Sequence, residues 1–129
     1  LTVAGLLEDA DTPLRDALDY VGSDTPDELV TALQPVARGD TPKPNTLETS
    51  GYVVHSLQTA LHNGLIADSA EDAIVTAVNH GGDTDTIGAI AGAIAGARFG
   101  SSALPDQWID TINEAGELEL LADQLVEMA

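Results

Sequence analysis

The chain has 129 residues, 43% of them hydrophobic, which suits one domain with a modest core and is too apolar for a disordered acidic polypeptide. Its 22 Asp and Glu stand against 4 Lys and Arg, a formal charge of −18, which argues against nucleic acid or an anionic membrane as partner, since both need a basic footprint. The absence of cysteine excludes a disulfide framework and a thiolate metal site.

Leu1 to Ala10 reads as the end of a helix that begins upstream, and the missing initiator Met points to a fragment. Nothing here has the basic start and long apolar run of a signal peptide. Thr12-Pro13 starts a second helix, with Leu14, Ala17, Leu18 and Val21 on one face and Gly22 closing it. Thr25-Pro26-Asp27-Glu28 repeats the start signal before an apolar stripe of Leu29, Val30, Leu33 and Val36, and Pro35 is expected to end that helix early. Gly39 to Asn45, with Pro42 and Pro44, is the clearest loop.

Ser50 to Asn63 reads as the next helix, stopped by Gly64, with Val53, Val54, Leu57, Ala60 and Leu61 buried. Tyr52 stands near its start, and His62 near its end is expected on the surface. Ser69-Ala70-Glu71-Asp72 opens another helix like a capping box, with Ala73, Ile74, Ala77 and Val78 as its apolar face. The helix after residue 86 carries Gly88, Gly92 and Gly96 four apart, each costing about 1 kcal/mol relative to alanine. Close approach of a neighbouring backbone is the expected reason, which makes this the buried central helix; Arg98 complements its C-terminal dipole. Phe99 to Ser102 forms a turn, and Pro105 starts a short helix to about Asn113 with Trp108 and Ile109 facing the core. Glu117 to Met128 forms a last amphipathic helix with Leu118, Leu121, Leu125 and Met128 on one side. No strand alternation or repeat appears, and no apolar run is long enough for a membrane span. The expected architecture is one all-α domain over residues 1–129, soluble and cytoplasmic. The scattered acids predict a solvated surface suited to a high-salt cytoplasm.

The chemistry concentrates in Asn79-His80-Gly81-Gly82-Asp83-Thr84-Asp85-Thr86. Two residues apart on a helix lie about 200° apart, so Asp83 and Asp85 can converge only if one precedes the helix. Gly81 and Gly82 permit such a turn, with Thr84 or Asp85 as the expected N-cap. Ionised carboxylates at a helix N-terminus together with a threonine hydroxyl make a hard oxygen site, suited to Mg²⁺, Mn²⁺ or Ca²⁺. An EF-hand starting at Asp83 is excluded, because Ile87 and Ile94 occupy its fifth and twelfth places. A purely capping role for the acids is the competing reading. His80 borders the site and reads as a surface residue.

At these residues the sequence resembles the ADP-ribosylglycohydrolase family, whose C-terminal signature is Gly-Gly-Asp-Thr-Asp-Thr followed by a helix rich in Gly and Ala. Here it stands as Gly81 to Thr86, then Ile87 to Ala97. Gly51-Tyr52-Val53-Val54-His55-Ser56-Leu57 is similar to the family's Gly-Tyr-Val-Val block, with His55 where the family often has an acid. The likeness runs from about Ser50 to Trp108. It implies an all-α enzyme with a two-metal Mg²⁺ or Mn²⁺ centre that hydrolyses the glycosidic bond between ADP-ribose and a protein side chain, commonly arginine. Carried over by position, Asp83, Asp85 and Thr86 are metal ligands, Asp83 and Asp85 serve catalysis, and Tyr52 and Gly82 contact ADP-ribose. The implied partner is an ADP-ribosylated protein or ADP-ribose itself.

The family's N-terminal Gly-Asp-Ala-Leu-Gly-like and Thr-Asp-Asp-like segments have no counterpart here, so the chain offers about half of a metal centre. Three readings follow. One is the C-terminal part of such an enzyme, completed by a missing N-terminal segment or chain. The second is a catalytically inactive module that binds ADP-ribose or Mg²⁺, and the third a structural helical protein whose motif is a cap.

Overall fold

The structure is a computed structural model that describes residues 1–22, 25–40 and 47–128. In chain order the helices are α1 (Thr2–Leu7), α2 (Pro13–Val21), α3 (Asp27–Ala37), α4 (Val53–Ile66), α5 (Ala70–Asn79), α6 (Thr84–Phe99), α7 (Asp106–Ile109) and α8 (Ala115–Met128), with a 3-10 turn at Ser101–Ala103. No strand occurs among the described residues, so the all-α expectation holds. The expected proline loop falls largely on residues 41–46, outside the described residues.

The capping box at Ser69 acts as the sequence implies, whereas Thr12 stands at the N-cap of α2 with its hydroxyl donating to Asp16 Oδ1 (2.9 Å) and making no bond to the backbone. Ser69 accepts a hydrogen bond from the Asp72 backbone N–H, and Pro13 occupies the first turn of α2. Pro35 does not end α3: the helix continues to Ala37. A proline so near a C-terminus removes a single intrahelical bond. The helix then closes on Gly39, at φ 73°, with Gly39 N–H to Val36 O (3.0 Å) and Asp40 N–H to Pro35 O (3.0 Å), a Schellman arrangement.

α6 is the central helix, packed against α1, α4 and α5. Gly51 lies beside Asp83 and Gly64 beside Ile94, so α4 and α6 run parallel. Ala77 clusters with Ile87 and Ala91, and Ala70 and Ala73 with Ala95, so α5 runs antiparallel to both. Here the sequence reading needs correction: alanines make the close approach. Ala60, Ala73, Ala77, Ala91 and Ala95 are all 0% exposed, whereas a Cβ on Gly96 would meet nothing and one on Gly92 would make only ordinary contact with Ile74. Only Gly88 is tight, with its Cβ position 2.9 Å from Val78 Cγ1.

The glycine that intimate packing requires is Gly64, which lies inside α4 and does not stop it. A Cβ there would sit 2.8 Å from both Cβ and Cγ2 of Ile94. Arg98 serves this helix end, not its own: Nη1 donates to Gly64 O (2.6 Å) and Ala67 O (3.1 Å), satisfying terminal carbonyls of α4. The guanidinium also lies 4.6 Å above the Phe99 ring.

A second cluster joins α2, α3, α4 and α6 through Leu14, Leu33, Val36, Leu61 and Ile94. Val53 is exposed, contrary to expectation, while His62 is buried at 5% exposure. α7 ends at Ile109, and Trp108 and Ile109 are half-buried outside the core clusters. α8 forms as expected but buries none of its residues, and its stripe of Leu118, Leu121, Leu125 and Met128 remains exposed.

Candidate functional site

The site is built where α5 hands over to α6. Gly81 (φ 78°) and Gly82 (φ 71°) are both left-handed, a conformation that favours glycine, and they swing the chain from one helix into the next. Gly82 has a second constraint, because a Cβ there would run into the Thr49 carbonyl oxygen. That closeness lets the Asp83 N–H donate to Thr49 O at 2.9 Å. Asp83 is the N-cap residue of α6, with Ile87 N–H bonding its carbonyl at 3.0 Å. The expectation of Thr84 or Asp85 as cap is thus corrected by one to two residues.

The Asp83 carboxylate makes no capping bond. It stands two residues before Asp85, whose acidity it shifts. Asp85 is held below the usual carboxylate range, chiefly by the Asp83 carboxyl and then by the backbone N–H groups of Thr86 and of Asp85 itself. Two acids so close in the chain could share one hard divalent cation, which favours their ionised forms. Thr86 follows Asp83 by three residues and is exposed on the same side of the first turn. The donor set therefore fits Mg²⁺ or Mn²⁺ held by two carboxylates and water. Among the described residues, no group of three or more His, Cys, Asp or Glu that could hold a metal ion is assembled.

Tyr52, 44% exposed, precedes α4 and donates from its hydroxyl to Glu28 Oε2 at 2.9 Å. That bond, followed by burial and the Glu28 charge, raises the phenol above its ordinary pKa. Gly82 and Asp83 meet the segment just before Tyr52: the Gly51 Cβ position is 3.9 Å from Asp83 Oδ2.

Sequence reasoning missed what holds that segment. Ser56 Oγ donates to Ser50 O (3.1 Å) and Thr59 Oγ1 to Glu48 O (2.9 Å), so α4 grips the chain on both sides of Thr49. Both hydroxyls are buried. The available signal was Ser56 and Thr59 three apart on an otherwise apolar helix face. His55, given no role from sequence, has Nδ1 2.8 Å from Ser50 Oγ and 3.2 Å from Glu48 Oε2, and its ring meets Tyr52 edge-on at 5.1 Å. His80 is exposed, as expected. His62 is not the surface residue expected. It is buried with Nδ1 unpartnered, and its pKa is lowered first by desolvation and then by the charge of His80.

The described residues form an all-helical protein with two acids on a glycine turn at the mouth of its central helix. The whole chain, residues 1–129, matches the family described as ADP-ribosylglycohydrolase, and the chain belongs to that family. It is 37% identical over 73 residues to the ADP-ribosyl-[dinitrogen reductase] glycohydrolase of Rhodospirillum rubrum, covering 57% of this chain and 25% of that protein. Identity to the ADP-ribosylarginine hydrolase Tri1 of Serratia proteamaculans is 38% over 87 residues, 67% of this chain and 24% of the relative. The human ADP-ribosylhydrolase ARH3 is 38% identical over 58 residues, 45% of this chain and 16% of that one. The matches thus span about a quarter or less of these curated relatives. No solved structure matches significantly.

Proposed function

We propose that this chain forms one part of an enzyme that hydrolyses the glycosidic bond between ADP-ribose and a protein side chain, with arginine as the side chain. The observation that carries this reading is the Gly81–Gly82 turn that sets Asp83 and Asp85 at the N-terminus of α6, held by the Asp83 N–H bond to Thr49 O. The names of the Rhodospirillum and Serratia relatives support ADP-ribosyl hydrolysis, and the Serratia name supports arginine. Asp83, Asp85 and Thr86 are the residues that would hold Mg²⁺ or Mn²⁺. Such a cation, when bound, supplies a water of lowered pKa and anchors ribose hydroxyls.

This chain's own residues do the rest. Thr49 and Gly82 fix the Asp83 backbone, so its carboxylate is pointed before any ligand arrives. Asp85, favoured in its ionised form first by the Asp83 side chain and then by the backbone N–H groups of Thr86 and of Asp85 itself, would supply negative charge beside the positive character that develops at the ribose carbon. Tyr52, tethered to Glu28, directly follows Gly51, which meets Asp83, and offers an aromatic face to ADP-ribose, while Gly82, whose Cβ side is filled by Thr49, would contact it through its own backbone.

The test is Mn²⁺ binding by the chain, followed through the loss of the free-ion paramagnetic signal, alongside Mn²⁺-dependent hydrolysis of ADP-ribosyl-arginine by the longest polypeptide that contains it. Asp83→Asn and Asp85→Asn are each expected to weaken Mn²⁺ at least tenfold and to lower hydrolysis by a similar factor or more. Full retention of both properties in either variant removes that residue from the site.

A further inference from the structure

The chain has three arginines, Arg15, Arg38 and Arg98, and all three line one cavity of about 480 Å³. The cavity lies at the end of the bundle away from the acids of the glycine turn: Arg98 stands thirteen residues beyond Asp85 on α6, roughly 20 Å at the helical rise. Asp11 lines the same cavity, yet among the described residues no arginine pairs with a carboxylate. Arg38 Nη2 reaches Gln34 Oε1 at 3.3 Å, and Arg98 gives Nη1 alone to the α4 carbonyls, so each guanidinium retains donors.

Helix dipoles account for two of these positions and not for the third. Arg38 follows α3 and Arg98 serves the end of α4, where cations are favoured. Arg15 lies in the first turn of α2, where a cation is disfavoured. That N-terminus is also left uncapped. Thr12 donates its hydroxyl to Asp16 Oδ1, Pro13 has no N–H, and the Leu14 and Arg15 N–H groups meet no acceptor among the described residues. Leu14 and Arg15 both line the cavity. Unused backbone donors and three like charges therefore gather over a floor of buried Leu14 and Val36, where electrostatic interactions are strengthened.

We propose that this cavity binds a doubly charged oxyanion: a phosphate group, free or carried on a small molecule. Three guanidinium charges against the charge of Asp11 leave a surplus that a dianion balances and a single carboxylate does not. Guanidinium forks match phosphate oxygens in pairs, and the α2 N–H groups complete the cradle. The site needs neither a metal ion nor the hydrolase reading.

The test uses the chain carrying isotope-labelled arginine, near neutral pH in EDTA, with KCl holding the ionic strength constant so that screening does not change. Inorganic phosphate and ribose phosphate are titrated separately, and the arginine backbone and Nε resonances and the heat of binding are followed. Saturable shifts at Arg15, Arg38 and Arg98 are expected. Tighter binding of ribose phosphate assigns a carried phosphate group, and binding of inorganic phosphate at least as tightly assigns a free one. Arg15→Gln and Arg38→Gln are each expected to weaken binding at least tenfold. Both residues are exposed, so neither change disturbs the core. Arginine resonances that respond to phosphate no more than to chloride overturn the proposal. So does full affinity in either variant, which would place the anion elsewhere. EDTA removes divalent ions, so the outcome is separate from that of the hydrolase reading.

Discussion

At the scale of single residues, Asp83 and His62 are placed where stability alone would not put them. A helix N-cap that bonds its own first turn contributes about 1 kcal/mol. Asp83 occupies the cap position of α6 without that bond, two residues before a second acid, Asp85. Asp83→Asn is therefore expected to leave thermal stability unchanged or raise it in metal-free buffer, while weakening Mn²⁺; a loss of about 1 kcal/mol in urea unfolding would restore the capping role. His62 gives a pH dependence of known sign. Burial lowers its pKa in the fold, so below the ordinary imidazole value of about 6.5 the unfolded chain binds the proton more readily. The contribution is complete above that value and is lost as pH falls from there toward the folded-state pKa. His62→Gln is expected to flatten the drop in unfolding free energy between pH 7 and pH 5. Parallel urea melts of both proteins check it, and identical slopes would show that His62 does not titrate differently in the two states.

At the scale of elements, the packing of α6 against α4 and α5 divides the helical glycines into two kinds. Gly64 has no room, since a methyl there meets the branched Cβ of Ile94, which cannot swing aside. Gly64→Ala is expected to cost about 1–3 kcal/mol through overpacking. Gly96 has open space at its Cβ position and ordinary helical backbone, so Gly96→Ala is expected to stabilise by about 0.5–1 kcal/mol. Chemical denaturation of the two variants beside wild type checks the pair, and the same sign for both would refute this division. The sequence reading missed it, because spacing alone gives a glycine at 64 the look of a helix stop and glycines at 88, 92 and 96 the look of a contact strip. Helix starts were legible where side chain and backbone act locally, as at Ser69 with Asp72 and at Pro13. The turn before the acids was legible too, since Gly81 and Gly82 take the left-handed backbone that glycine favours. Burial of His62, the long-range grip of Ser56 and Thr59 on the segment at Thr49, and the exposure of Val53 depend on which helix lies opposite. No local pattern encodes that.

At the scale of the molecule, charge and core act against each other. The formal charge is −18, yet the arginine that packs inside, Arg98, bonds carbonyl oxygens, and the carboxylate contact to a basic side chain found among the described residues is that of Glu48 with the His55 imidazole. The acids are therefore balanced mainly by solvent ions, and their mutual repulsion falls on a fold whose larger core is open on one apolar side. The Debye length shrinks from about 10 Å at 0.1 M salt to about 3 Å at 1 M, less than the spacing of scattered surface charges. The melting temperature is expected to climb steeply with KCl up to several tenths molar, as screening removes the repulsion, and more slowly beyond. The comparison is with sucrose, an excluded neutral solute that strengthens burial without screening charge. Calorimetric scans in both series separate the two effects. A KCl curve no steeper at low concentration than above 1 M would mean that strengthened apolar burial, not relief of charge, stabilises this acidic chain.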